Sequence, residues 1–309
     1  MERKTVLAFG MAALAAVTVF AACEKGPQAV SAPETPLAAA QQDMDGLPDL
    51  EVDTDKTRNT WAVFNETFTA EQCSVEEGNI PPGNHRSLRF SVLINNIGDA
   101  DLYVGDPLAH MDPNGDGNFA DQDGLFEFAS CHAHFHFRNY AKYELYPVNA
   151  DGSLGTPVQS RKRGFCMLDT TPRSSNASPP KGRYYLSCGT LTTHGNQGIS
   201  TGFGDMYVRQ LPGQLFLLTD PNEPVPPGEY VIRITANPPF TPQNGEVCPV
   251  TDSQGFCHMF RESRYDNNVG DVRITIPAGV GHDGYGPGKA NFNGEELDAA
   301  HHPEAHGNH

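Results

Sequence analysis

The chain has 309 residues, and its 38 Asp and Glu against 21 Lys and Arg leave a net charge of −17 with His neutral. That balance argues against nucleic acid as a partner, since phosphate binding needs clustered cations, and it favours the approach of positively charged molecules. With 31 Gly and 25 Pro, the chain is punctuated too often for long helices.

The chain opens on a basic stretch, Met1-Glu-Arg-Lys4, followed by an apolar run that ends in Phe20-Ala-Ala-Cys23. The run is short and closes on small residues, so residues 1–22 read as an export signal rather than a spanning helix. Its end resembles a bacterial lipobox, in which Cys23 becomes lipidated and starts the mature chain. The expected location is therefore the bacterial cell envelope, periplasmic or outer surface, with membrane contact only through the lipid anchor; simple secretion is the alternative. Residues 23–46, rich in Ala and Pro, read as a tether.

Residues 47–277 supply one domain's worth of chain, ample for a buried core. Alternating or apolar runs at 87–94, 140–146, 213–218, 229–235 and 271–276 read as strands. No window beyond the signal keeps a helical period over a dozen residues. The expected fold is all-β, a β-sandwich with long functional loops. Residues 278–309, rich in Gly and His, read as a disordered tail. Six cysteines follow the signal, and an even count in an exported protein suggests three disulfides.

Within the domain, Ser130-Cys-His-Ala-His-Phe-His-Phe137 carries His132, His134 and His136 on alternate residues. An extended strand points alternate side chains to one face, so the imidazoles share a side and Ala133, Phe135 and Phe137 the other. At roughly 3.3 Å per residue the outer two histidines lie about 13 Å apart, so convergence on one ion requires a bend. Three imidazoles suit copper, and with a water they also describe a catalytic zinc site. A second loop, Asp112-Pro-Asn114-Gly-Asp116-Gly-Asn-Phe-Ala-Asp-Gln-Asp123, places oxygens at positions one, three, five and twelve with Gly at six, the spacing of a calcium loop. Its last position is Asp rather than Glu, and no helical pattern flanks it.

The histidine run resembles the copper site of the lysyl oxidases, where Ser-Cys-His-x-His-Tyr-His is followed by a similar strand. The likeness continues in order: Lys162-Arg-Gly-Phe-Cys-Met-Leu-Asp-Thr170 resembles the family's Lys-Ala-Ser-Phe-Cys-Leu-Glu-Asp-Thr. Gln197-Gly-Ile-Ser-Thr-Gly-Phe-Gly-Asp-Met-Tyr207 is similar to its Gln-Gly-Leu-Ser-Pro-Gly-Cys-Tyr-Asp-Thr-Tyr, and Pro227-Gly-Glu-Tyr to its Pro-Gly-Asn-Tyr.

The resemblance implies a copper amine oxidase that converts a primary amine or a peptidyl lysine to an aldehyde, using dioxygen and releasing ammonia and hydrogen peroxide. Its cofactor, lysyl tyrosylquinone, would be a crosslink of Lys162 with Tyr207. The resemblance also implies the disulfides Cys73–Cys131 and Cys166–Cys188. Two further family disulfides would be missing as whole pairs, at positions 79, 213, 172 and 203, while Cys248 and Cys257 lie close enough for a local bridge. A calcium site is implied from Asp49, the Leu50 carbonyl, Glu262, Asn267 and Asn268, with Arg264 standing where the family has an aspartate. The alternatives are a three-histidine zinc hydrolase and a non-catalytic copper-binding lipoprotein.

Overall fold

Strand-like alternation at the C-terminal end of the domain builds the first sheet. Along Val269–Ile276 exposed and buried residues alternate without exception, and the strand pairs antiparallel with Gly228–Ala236, which pairs in turn with Ala141–Pro147. Ile232 sits opposite both Val272 and Leu145, and all three are buried against the common core. A second sheet runs in the order Leu50–Val52, Val92–Asn96, Phe203–Tyr207, Thr171–Pro172. A third runs in the order Leu215–Leu217, Gly83–Arg89, Ala62–Phe68. These coordinates are a computed structural model and describe residues 46–173, 182–242 and 248–290. The export signal, Cys23, nearly all of the tether and the tail beyond Ala290 lie outside the described residues.

The fold is all-β, as its patterning implies, and it departs from the expected elements in two places. The run expected as one strand at 87–94 divides between two sheets, ending one strand at Arg89 and starting the next at Val92. The cause is a short helix, Thr54–Thr60, capped by the Asp53 side chain, which accepts from the Lys56 N–H at 3.0 Å. Ser91 bonds to that helix instead of to a strand: its carbonyl accepts from Thr57 Oγ1 at 2.8 Å, and its N–H donates to Thr60 Oγ1 at 3.1 Å.

The second departure is the Gly-rich segment after Pro277, whose described part is not a free tail. Tyr285 and Val63 exchange both backbone hydrogen bonds, and Gly288 N–H donates to the Trp61 carbonyl at 3.0 Å. A Cβ on Gly288 would lie 2.0 Å from the Thr60 carbonyl oxygen. The glycines that suggest disorder in the sequence instead allow the chain to lie flat on the strand Ala62–Phe68, and the folded domain reaches at least Ala290.

The three expected disulfides form: Cys73–Cys131, Cys166–Cys188 and Cys248–Cys257. Pro172 and Phe203, two of the four positions at which the resemblance implies lost cysteines, stand opposite each other in the ladder.

The cluster expected to hold calcium at the edge of the domain is engaged in its own hydrogen bonds. Asp49 takes the Arg264 guanidinium on one oxygen (3.0 Å) and the Asn267 amide on the other (2.6 Å). Glu262 accepts from the Leu50 N–H at 2.6 Å, the Asn237 amide at 2.6 Å and the Asn268 amide at 2.8 Å. Asn267 Oδ1 and Asn268 Oδ1 are buried without partners, but the cation facing Asp49 is the protein's own arginine. In the acidic loop, Asp123 turns away to His110 Nδ1 at 2.6 Å, while Asp112 and Asp116 bind loop N–H groups. Calcium is therefore assigned to neither place.

Burial pushes the Glu262 carboxyl up to about 7 while its three donors pull it down. Glu262→Ala would strand three buried donors at once, and we expect it to cost about 3 kcal/mol. Urea unfolding checks this: the midpoint should fall with the slope unchanged.

Candidate metal centre

The bend that convergence demands sits at Ala133. Its φ of +55° is in the left-handed region, rare for a residue with a Cβ, and it reverses the chain between His132 and His134. Only His134 and His136 belong to a strand, His134–Phe137, which pairs antiparallel with Phe126–Ala129; His132 lies in the turn before it. The other face packs as the alternation requires. Phe135 lies edge-on to Phe128 and Phe137 to Phe126, and Phe135 and Phe137 are fully buried.

The three imidazoles come together with ring centroids 5.0 to 5.5 Å apart. One nitrogen from each lies within 4.8 Å of the others, and all three residues are buried. Among the described residues this is the only such convergence of three His, Cys, Asp or Glu side chains. His132 Nε2 is buried with no hydrogen-bond partner. An unsatisfied buried nitrogen costs roughly 1–3 kcal/mol, a cost that a bound metal would remove, so the donor set fits a first-row transition metal.

The segment carrying Lys162 is docked directly onto this strand. Phe165 and Phe137 exchange backbone hydrogen bonds at 2.6 and 3.2 Å, and Gly164 packs under the His136 ring so closely that a Cβ there would lie 2.5 Å from Nδ1. Gln197, fully buried, donates to the Phe135 and Cys188 carbonyls and accepts from the Met167 N–H, tying the three motif segments together.

Lys162 Nζ stands 5.6 Å from the centre of the Tyr207 ring and 5.7 Å from that of Phe165. Burial lowers its amine to about 8, against the opposing pull of Glu77, Asp205 and Glu127. At pH 7 that leaves about 300-fold more free amine than an ordinary lysine has. Competitive acetylation of the metal-free protein should therefore label Lys162 with a midpoint near pH 8, and a midpoint at the ordinary lysine value would contradict this.

Tyr207 is fully buried at the end of Phe203–Tyr207, its ring edge-on to Phe165 and its hydroxyl donating to the Cys166 carbonyl at 2.9 Å. Burial first, and then the neighbouring Asp205, raises its phenol well above the usual range. Asp205 is itself buried, raised well above the carboxylate range by that burial, and its Oδ2 has no hydrogen-bond partner. Near it lie more buried polar groups without hydrogen-bond partners: the Tyr140 and Tyr143 hydroxyls and both amide atoms of Gln214. Sequence reasoning passes over these buried polar groups, because side chains spread over two strands and the loops beside them leave no spacing signal.

A cleft of about 230 Å³ opens beside His136 and Lys162, lined also by Glu77, Glu127 and Gly164 among others. Three buried histidines converge here, with a half-buried lysine and a buried tyrosine on the segments packed against them.

The lysyl oxidase family model matches residues 62–248. The chain belongs to the lysyl oxidase family. It is 27% identical over 234 residues to lysyl oxidase homolog 2 of Homo sapiens, covering 72% of this chain and 25% of that protein. It is 30% identical over 171 residues to lysyl oxidase homolog 3B of Danio rerio, covering 54% of this chain and 17% of that protein. The chain thus matches about a quarter or less of the length of these relatives.

Proposed function

We propose that the protein is a copper-dependent amine oxidase, with His132, His134 and His136 holding copper and with Lys162 and Tyr207 joined as lysyl tyrosylquinone. The observation that carries this reading is the free-amine-prone Lys162 standing 5.6 Å from the buried Tyr207 ring, on a segment packed directly against the metal strand. A zinc hydrolase has no use for that pair, and a protein that merely stores copper has no reason to hold an amine beside a buried tyrosine ring.

The net conversion is RCH2NH2 + O2 + H2O to RCHO + NH3 + H2O2. When bound, the quinone supplies an electrophilic carbonyl that accepts two electrons from the amine, and copper assists its formation from dioxygen. The chain's own residues do the rest. Glu77 and Glu127 bring negative charge to the cleft, which favours an arriving ammonium group. Phe165 packs edge-on over Tyr207 and keeps the ring shielded. Asp205, buried beside Tyr207 with its Oδ2 unpartnered, is the group placed to take a proton from the amine-bearing carbon.

Substrates of this class are lysine side chains on proteins and small primary amines. We place the enzyme outside the cytoplasm as an envelope lipoprotein anchored through Cys23; the leader pattern and the three disulfides support that location. The test is peroxide release on adding a primary amine to the copper-loaded protein, blocked both by a copper chelator and by a carbonyl reagent. Hydrolytic turnover without oxygen uptake would overturn the reading.

A further inference from the structure

The cleft contains a half-buried carboxylate that none of the steps above uses chemically. Glu77 follows the one-turn helix Cys73–Glu76, and its N–H donates to the Cys73 carbonyl at 2.9 Å. It is four residues beyond Cys73, so both side chains leave the same face. Cys73 is bonded to Cys131, the residue immediately before His132. The disulfide therefore sets Glu77 against the first histidine of the triad, across 55 residues of sequence.

His132 Nδ1 lies 2.9 Å from Glu77 Oε2; the imidazole is buried and the Glu77 side chain is 25% exposed. Both ring nitrogens are buried, and neither makes a hydrogen bond of good geometry, so the approach to Glu77 is the one polar contact that distinguishes Nδ1 from Nε2. His132 also sits in a turn rather than in the strand that holds its two companions, so no ladder fixes its ring. Metal-binding imidazoles are commonly held by a carboxylate on the far nitrogen, which sets the tautomer and raises the basicity of the ligating one.

We propose that Glu77 is a positioning residue for the metal: it holds the His132 Nδ1–H and so commits Nε2 to copper. The inference rests on the reading of the triad as a copper site. Loss of such a partner typically weakens metal binding 10- to 100-fold.

The experiment is copper affinity of the otherwise intact, disulfide-bonded protein, measured by competition with a chelator and accompanied by the Cu(II) paramagnetic resonance spectrum. Glu77→Gln is expected to bind copper 10- to 100-fold more weakly with an altered spectrum. Glu76→Gln, whose carboxylate is exposed and accepts from Ser130 Oγ, should match the unaltered protein in both. If Glu77→Gln matches the unaltered protein in affinity and spectrum, the inference falls while the copper site stands. If the unaltered protein binds no copper through the three histidines, both fall together. Should Glu77→Gln not fold, nitrogen NMR of the metal-free unaltered protein decides: His132 protonated at Nδ1 supports the role, and protonation at Nε2 alone overturns it.

Discussion

Tyr207→Phe is expected to abolish the proposed amine oxidation, a loss of about 10⁶-fold or more toward the uncatalysed rate, while leaving folding and copper binding intact. Phe fills the same volume against Phe165 and Tyr140 and forfeits only the hydroxyl bonded to the Cys166 carbonyl. That costs about 1 kcal/mol of stability. The three imidazoles stand on a different strand and turn, so metal binding has no reason to change. A phenyl ring cannot be oxidised to a quinone at this site, and without that electrophile the amine has nothing to condense with. Lys162→Arg should fail in the same way, because a guanidinium remains protonated at any working pH and cannot attack an oxidised ring. Peroxide release, carbonyl-reagent labelling and metal content, measured together on each variant, separate loss of the cofactor from loss of the metal. Retention of more than a trace of oxidase activity by Tyr207→Phe would remove Tyr207 from the account.

Asp205→Asn is expected to lower kcat by 10² to 10⁴, the usual contribution of a positioned proton acceptor. Asn occupies the same space and keeps an oxygen for the Leu168 N–H, which now bonds to the carboxyl, so the fold should survive. It cannot take up a proton. The substitution therefore strikes only the step that removes hydrogen from the amine-bearing carbon, and a deuterated amine should then show a larger isotope effect than with the unaltered enzyme. A kcat within threefold of the unaltered enzyme, with no change in isotope effect, would assign the proton transfer elsewhere.

The convergence of the three histidines was legible in the chain because period-two spacing states which side chains share a face, and the need for a bend followed from the rise per residue. That the bend falls at Ala133, with a backbone angle usually reserved for Gly or Asn, carries no sequence signature. Lys162 and Tyr207 were legible only through family motifs. By themselves they are a lysine in a basic run and an aromatic in an apolar strand, and only three-dimensional pairing puts them together. Glu77 was invisible for a related reason: its partner is far along the chain, and a disulfide joins them. The opposite error occurred at the Gly-rich end. There composition argued for disorder, whereas residues up to Ala290 use their missing Cβ atoms to lie on a strand. The acidic clusters show that ligand spacing is not ligand geometry, since Asp123 faces His110 and Asp49 faces Arg264.

The central claim is that Lys162 and Tyr207 become one cofactor under the control of a copper ion at His132, His134 and His136. Peptide mass analysis of the protein before and after aerobic copper loading tests it most directly. The account predicts that the peptides carrying Lys162 and Tyr207 are separate before loading, are recovered afterwards as a single crosslinked species that reacts with a carbonyl probe, and stay separate when the three histidines are replaced. Recovery of the two peptides separately after full copper loading, with no probe attached, would contradict it.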